Sequence, residues 1–289
     1  MSYRSVFRPD LFAGRNIIVT GGGSGIGRCT AHELASLGAQ VILIGRKDDK
    51  LIKVQAEIQE DGGKAIWFTC DIREEESVKA TVAEIFKAVG QVHGLVNNAG
   101  GQFPSPLAFI SQKGWETVVR TNLTGGFLMA REVFMQGMNK TGGSIVNIVA
   151  DMWGGMPGMG HSGAARAGMV NFTQTAAFEW GCAGVRVNAV APGWIASSGM
   201  DTYPESFKST IKTLRAAVPL KRMGEEAEVS GAIVFLLSDA AAFISGDTLR
   251  IDGAASQGNI AIFPLPDHNN SKPFDGFHRA VTPDLFKDK

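Results

Sequence analysis

The sequence has little of what marks nucleic-acid-binding or membrane proteins. Its 28 lysine and arginine residues are balanced by 28 aspartate and glutamate residues, so no excess charge favours nucleic acid or another polyanionic partner. Nowhere do about 18 consecutive apolar residues occur to span a bilayer, and residues 1–10 contain no apolar run of signal-peptide length. We therefore expect a cytoplasmic protein with neither a nucleic-acid nor a membrane partner.

Cysteine and tyrosine are also scarce. Cys29, Cys70 and Cys182 are widely spaced and include no CxxC pair, which argues against a disulfide framework or a zinc site. We expect buried structural thiols and no bound metal. The only phenols are those of Tyr3, which we expect in a flexible terminus, and Tyr203.

Short apolar runs rich in β-branched residues alternate with segments of helical period closed by glycine. Seven such runs occupy residues 16–20, 40–45, 64–70, 93–100, 143–150, 185–193 and 247–253. Continuous rather than alternating apolar runs are typical of strands covered on both faces. The sequence therefore predicts a single-domain α/β fold, a Rossmann-type doubly wound parallel sheet of about seven strands with helices on both faces. Ligands of such sheets bind at the carboxyl ends of the strands.

A glycine-rich segment, TGGGSGIG at residues 20–27, follows the first predicted strand and opens a helix. Gly21, Gly25 and Gly27 let the backbone turn sharply and let a diphosphate approach the helix N-terminus, where free N–H groups favour an anion. The segment predicts a dinucleotide-binding loop.

The spacing T-G-x-x-x-G-x-G resembles that of the short-chain dehydrogenases/reductases, and the resemblance extends over about residues 12–258. We therefore predict an N-terminal arm (1–11), a Rossmann domain (12–258) and an extended C-terminal tail (259–289). The tail is rich in proline, and we expect it to be packed because Phe263, Phe274 and Phe277 need cover.

The resemblance also implies roles for individual residues. Asp71 and Ile72 stand where family members contact adenine, Asn98-Ala99-Gly100 match the NAG turn, and Asn122 matches a catalytic asparagine. Pro192-Gly193-Trp194-Ile195 match the turn against the nicotinamide carboxamide, with Ser197 where threonine is commoner. A homodimer or homotetramer is implied as well.

The charge at the end of the second strand bears on which nicotinamide cofactor is bound. An NAD site places a carboxylate there, whereas this strand ends Ile44-Gly45-Arg46-Lys47. Because a guanidinium can grip a ribose phosphate, we predict NADP(H), with Arg46 and Ser24 as the clamp. The alternative is that Arg46 and Lys47 are a solvated helix start. The full predicted cofactor set is Gly21, Ser24, Gly25, Ile26, Gly27, Arg46, Lys47, Asp71, Ile72, Asn98, Ala99, Gly100, Pro192, Gly193, Ile195 and Ser197.

The segment HSGAARAGM (161–169) departs from the family pattern. It places Ser162 and Arg166 where most members have the tyrosine and lysine that exchange a proton with a carbonyl oxygen. Ketone–alcohol chemistry thereby loses its usual acid. Hydride addition to an α,β-unsaturated thioester instead produces an enolate, whose oxygen a permanent cation such as Arg166 can stabilise, with Ser162 as a second donor.

Four segments extend the resemblance to one branch of the family. They closely resemble peroxisomal trans-2-enoyl-CoA reductases and, more distantly, 2,4-dienoyl-CoA reductases: GGQFPSP (100–106), SQKGWETVVRTNLTG (111–125), GGSIVNIV (142–149) and HSGAARAG (161–168). This implies an acyl-CoA substrate. The chain has valine at position 170, where the peroxisomal enzymes have a tyrosine, and its FKDK terminus lacks the peroxisomal tripeptide.

The proton donor is therefore left open among Asp151, Tyr203, His161 and water. With Asn122, Ser162 and Arg166, the first two complete the predicted catalytic set. Three functions follow: an NADPH-dependent enoyl-CoA reductase, an NADP(H)- or NAD(H)-dependent alcohol or hydroxyacyl dehydrogenase acting for example on a long-chain or terpenoid alcohol, and a non-catalytic nucleotide-binding regulatory protein.

Overall fold

The fold comes from a computed structural model that describes residues 2–259 and 262–287. Residues 1, 260–261 and 288–289, which fall in the predicted arm and tail, lie outside the described residues.

All seven predicted strands pair side by side in one parallel sheet of order β3-β2-β1-β4-β5-β6-β9. The strands are β1 (Asn16–Thr20), β2 (Gln40–Gly45), β3 (Lys64–Thr69), β4 (Gly94–Asn97), β5 (Gly143–Ile148), β6 (Val185–Pro192) and β9 (Thr248–Ile251). A separate pair, β7 (Ile195–Ala196) and β8 (Gly224–Glu225), was not predicted. The strand order reverses between β1 and β4, the position at which such sheets bind ligands.

Nine α-helical segments connect the strands in the described part of the chain. They are α1 (Gly25–Ser36), α2 (Asp48–Glu60), α3 (Glu75–Val89), α4 (Gln112–Val119), α5 (Gly125–Val133), α6 (Asn139–Thr141), α7 (Gly160–Trp180), α8 (Glu205–Thr213) and α9 (Glu226–Leu237). Two π-helical turns, Arg120–Thr124 and Phe134–Met138, join α4, α5 and α6 into one irregular run.

The alternation of side chains along each strand builds a core on each face of the sheet. Val19 of β1 packs with α1, α2 and α9 on one face, whereas the neighbouring Ile18 packs with α3, α5 and α7 on the other. Both residues are fully buried. The predicted doubly wound fold with helices on both faces is therefore confirmed.

The N-terminal arm and the tail pack together against α1. Tyr3, expected in a flexible terminus, is instead buried and donates to Glu33 Oε2 over 3.1 Å. Arg279 of the tail donates to both carboxylate oxygens of Asp61, at 2.9 and 3.0 Å. Phe277 is buried as predicted, but Phe263 is 73% exposed.

The burial of the three cysteines can be compared with the expectation of buried thiols. Cys29 and Cys70 are buried, whereas Cys182 is exposed because it lies in the turn after α7, so the expectation for Cys182 was wrong. Within residues 2–259 and 262–287, no helix is long and apolar enough to cross a membrane, and no group of three metal-ligating side chains clusters.

Candidate active site

A cavity of about 610 Å³ lies at the carboxyl ends of β1, β2 and β4, lined by the glycine-rich loop. Gly21 and Gly25 have φ angles of +67° and +58°, which side chains disfavour. A Cβ on Gly27 would lie 2.4 Å from the Gly21 carbonyl oxygen. Ser24, before the first turn of α1, makes no side-chain cap bond, so backbone N–H groups of that turn are available to an anion. The loop fits a dinucleotide diphosphate.

The far end of this cavity is positively charged. Arg46 and Lys47 line it with Lys50, which sequence reasoning missed although it lies one helical turn beyond Arg46. Asp71 also lines the cavity, but Arg73 Nε donates to its Oδ1 over 2.9 Å. Hydrogen bonds from Arg73 hold the pKa of Asp71 below its usual value. Because Arg73 compensates this carboxylate, the Arg46 side has excess positive charge.

A second cavity, of about 550 Å³, continues from the first. Asn98, Gly100 and Ser197 line both cavities. The turn Pro192–Ile195 forms one wall, and Met156 and Met159 of the loop before α7 form an apolar side. Among the predicted catalytic residues, the second cavity is lined by Asp151, Arg166 and Tyr203.

Arg166 projects from α7 toward the NAG turn. Its Nη1 donates to the Ile148 carbonyl oxygen over 2.5 Å, and its Nε is buried without a hydrogen-bond partner. Burial lowers the pKa of the guanidinium to about 10, so it stays a cation at neutral pH. A Cβ on Gly100 would lie 2.6 Å from Arg166 Nη2, so a side chain at position 100 would displace the guanidinium.

Asn122 is buried in the first π-helical turn, a local distortion that is frequent at functional sites. Its Oδ1 accepts from the Gly101 N–H over 2.8 Å and its Nδ2 donates to the Gly101 carbonyl over 2.9 Å. These two bonds fix the loop after β4. Asn122 thus supports the cavity wall rather than lining the cavity.

Ser162 is fully buried and does not line the cavity. Its hydroxyl donates to Gln102 Oε1 over 2.6 Å, and Gln102 Nε2 donates to the Tyr203 hydroxyl over 3.0 Å. Gln102 is a site residue that the sequence motifs did not indicate, although it directly follows the NAG turn and Gly101. His161 lies in the first turn of α7, is buried, and its ring packs edge-on against Phe103 with ring centroids 4.4 Å apart.

Asp151 follows β5 and lines the second cavity. Its N–H donates to the Pro192 carbonyl over 3.2 Å, which ties it to the turn Pro192–Ile195. Burial, followed by the nearby charge of Asp252, raises the pKa of its carboxyl. Asp151 therefore keeps a proton to higher pH than an ordinary aspartate.

The segment Ser198–Thr202 forms part of the wall of this cavity, helix α8 follows it, and the tail lies against both. Tyr203 links the two elements and packs on Phe207 with ring centroids 5.3 Å apart. The N–H of Leu285 in the tail donates to Asp201 Oδ1 over 3.3 Å. We call residues 198–213 the lid.

Glu226, in the first turn of α9, is a buried carboxyl close to the glycine-rich loop. Its Oε1 would lie 3.9 Å from a Cβ on Gly25, and burial raises its pKa to about 7. Since this folded-state pKa exceeds the ordinary value of 4.5, deprotonation destabilises the fold as pH rises from 4.5 to about 7.

We expect Glu226→Gln to leave the free energy of unfolding unchanged near pH 4.5 and to increase it by up to about 3 kcal/mol above about pH 8. Urea unfolding across this range measures the difference. Glu84→Gln, which removes an exposed carboxylate, is the control and should show no comparable change. A constant difference between Glu226→Gln and the parent at every pH would contradict this assignment.

The family model described as enoyl-(acyl carrier protein) reductase matches residues 21–256. The chain belongs to the short-chain dehydrogenase/reductase family. It is an oxidoreductase of that family, whose members bind NAD(P). The non-catalytic reading of the sequence is therefore set aside.

The named relatives differ in the reactions they carry. The chain is 37% identical over 241 residues to a probable 2,4-dienoyl-CoA reductase from Bacillus subtilis, covering 82% of this chain and 94% of the relative. It is 40% identical over 252 residues to a glucose 1-dehydrogenase from Gluconobacter oxydans, covering 84% of this chain and 92% of the relative. Among solved structures, the chain is 69% identical to the citronellol catabolism dehydrogenase AtuB from Pseudomonas aeruginosa, with a TM-score of 0.81. The match covers 88% of this chain and all of that chain.

Proposed function

We propose that the protein is an NADPH-dependent reductase of the conjugated double bond of an acyl thioester, such as a trans-2-enoyl-CoA. The observation that carries the proposal is the guanidinium of Arg166, which lines the second cavity where most family members have a lysine, with no tyrosine at Ser162 to act as acid. The similarity to a dienoyl-CoA reductase supports it.

When bound, NADPH supplies a hydride. Arg166, a cation at neutral pH in a partly buried cavity, stabilises the negative charge that develops on the thioester oxygen. Asn122 keeps the adjoining loop in place through Gly101. Asp151 and Tyr203 are the protein groups in the second cavity that we propose as proton donors to the α-carbon.

NADPH is proposed over NADH because of the positive charge at the ribose end of the first cavity. Arg46 and Lys50 line that end together with the hydroxyl-bearing Ser24, and Arg73 compensates Asp71. A carboxylate suited to the ribose hydroxyls of NADH does not follow β2, whose next residues are Arg46 and Lys47.

A second function is the oxidation of a branched aliphatic alcohol. It is favoured by the 69% identity to a protein named for citronellol catabolism. The second cavity suits an apolar chain in either case, because Met156, Met159 and Met200 line it.

One assay separates the two functions. NADPH oxidation is followed on mixing with crotonyl- to dodecenoyl-CoA, and NADP⁺ reduction is followed with a panel of alcohols that includes citronellol. Turnover with enoyl-CoA alone supports the reductase. Turnover with alcohols alone overturns it in favour of the dehydrogenase.

We also propose a homodimer or homotetramer in the cytoplasm. Exposed apolar side chains on the run from α5 to α7 support assembly, since Met135 is 59% and Phe178 90% exposed. Sedimentation of the purified protein tests the oligomeric state.

The tail should matter for substrate rather than cofactor binding. Ending the chain at residue 281 removes the contact between Leu285 and Asp201 and frees the lid. We expect the thioester KM to rise about tenfold, which corresponds to a loss of about 1.4 kcal/mol in substrate binding. The NADPH Kd should change little, because the contact that is lost is one to the lid. Asp284→Ala, which removes the surface ion pair with Lys287 and a weaker attraction to Lys208 but keeps the Leu285 contact, is the control and should raise KM much less. A rise in the NADPH Kd instead would contradict this role.

A further inference from the structure

A continuous chain of side-chain hydrogen bonds connects α7 to the lid through the loop after β4. Ser162 Oγ and Gln102 Oε1 are 2.6 Å apart, and Gln102 Nε2 and the Tyr203 oxygen are 3.0 Å apart. Ser162 and Tyr203, the two ends of this series of hydrogen bonds, are 41 residues apart in the sequence. Ser162 is fully buried, while Gln102 and Tyr203 line the second cavity.

The direction of these bonds determines what Tyr203 can do. An amide oxygen only accepts and an amide nitrogen only donates, so the donation from Ser162 to Oε1 turns Nε2 toward the phenol. The Tyr203 oxygen accepts a hydrogen bond from Gln102 Nε2, so the phenolic hydrogen is not used in that bond. Its O–H is therefore available to a molecule in the cavity.

We propose that Gln102 is a positioning residue that, oriented by Ser162, holds Tyr203 as the proton donor of this enzyme. The inference rests on the proposed function and names the donor for it. Ser162 is the serine that replaces the usual tyrosine of the family, and its role here is to orient the amide rather than to touch substrate.

Reduction of the double bond requires one hydride and one proton. Bound NADPH would supply the hydride for the new C–H bond at the β-carbon, and the π pair of the double bond would then move to give the enolate. The α-carbon then forms a C–H bond with the Tyr203 proton as the O–H bond breaks. The phenolate, stabilised by the Gln102 N–H, takes a proton from water to restore the enzyme.

The orientation of the amide is the sensitive part of this arrangement. With a hydrophobic residue at position 162, the amide can turn over and present Oε1 to the phenol. Tyr203 would then donate to Gln102 and lose its free hydrogen. Ser162→Ala is thus expected to lower the rate although residue 162 does not line the cavity.

The test is a double-mutant cycle on crotonyl-CoA reduction with full-length enzyme. We expect Tyr203→Phe to lower kcat about a hundredfold, the lower end of the contribution typical of a general acid. Gln102→Met should lower kcat less, about tenfold, because Tyr203 is still present. Since Gln102 acts through Tyr203, Gln102→Met should cost nothing further in the Tyr203→Phe background. The solvent deuterium isotope effect on kcat should rise in Gln102→Met, because proton transfer becomes slower.

A readout independent of turnover uses the scarcity of tyrosine. The chain has two tyrosines, so ring-¹³C-tyrosine labelling gives two Cζ resonances, and Tyr203→Phe assigns them. Gln102→Met and Ser162→Ala should both move the Tyr203 resonance and leave that of Tyr3 in place. Gln112→Met, at an exposed glutamine on α4, is the matched control and should move neither.

Multiplicative losses in the double mutant, or an unmoved Tyr203 resonance, would overturn the inference. If the parent enzyme fails to reduce any enoyl-CoA, the proposed function and the donor role of Tyr203 are both wrong. The two resonances still test, without turnover, whether Gln102 and Ser162 position Tyr203. Failure of the positioning and failure of the proposed function are therefore distinguishable.

Discussion

Replacing Arg166 by methionine is expected to lower kcat/KM for enoyl-CoA on the order of a hundredfold, as removal of a group that stabilises a developing oxyanion does. The guanidinium lines the second cavity as a cation, whereas methionine fills a similar volume without charge. Steady-state rates with crotonyl-CoA and NADPH measure the loss. Arg166→Lys keeps a cation and should recover part of the activity.

A matched control separates charge from stability. Arg186 is also a half-buried arginine, and its Nη1 donates to the Leu236 carbonyl over 2.8 Å, far from either cavity. Arg186→Met should weaken the fold without changing kcat of the folded enzyme. A near-normal rate for Arg166→Met would remove Arg166 from the mechanism.

Replacing Arg46 by aspartate is expected to reverse the cofactor preference. NADPH should bind on the order of a hundredfold more weakly, since a charge-assisted hydrogen bond is lost and a like charge faces the ribose phosphate. NADH binding should be unchanged or improved because an acidic residue suits the ribose hydroxyls. Titration of both cofactors by fluorescence measures the two Kd values.

Lys53→Asp makes the same change of charge on the exposed face of α2, outside the residues that line the first cavity. It should weaken NADPH binding much less than Arg46→Asp. If both variants have the same effect, long-range charge rather than contact explains the preference. An unchanged preference in Arg46→Asp would overturn the assignment of NADP(H).

The variants of Arg46 and Arg166 test the roles of the two cavities separately. Arg46 belongs to the first cavity, and its loss should appear in cofactor binding alone. Arg166 belongs to the second cavity, and its loss should appear in turnover with enoyl-CoA. An effect of Arg166→Met on NADPH Kd as large as that on kcat would indicate that Arg166 acts through the cofactor rather than on the thioester.

The sequence alone determined the sheet and the place of the cofactor loop. Strands such as β1 and β5 lie in short, largely apolar runs, which are typical of strands covered on both faces. These runs therefore predict a parallel sheet between two layers of helices. The glycines of TGGGSGIG are required by backbone geometry that few other residues can adopt, as the φ angles of Gly21 and Gly25 show. Local conformation and periodicity act over short segments, and sequence patterns record them directly.

The tertiary structure alone decided which side chains work together. Ser162, Gln102 and Tyr203 belong to a helix, a loop and a lid, and no local pattern specifies a hydrogen bond between residues 60 and 101 positions apart. The burial of Tyr3 likewise depends on the tail returning to α1, where the N–H of Arg4 meets the Gly276 carbonyl. Contacts of this kind depend on how elements pack in three dimensions, and the sequence of each element is compatible with many partners.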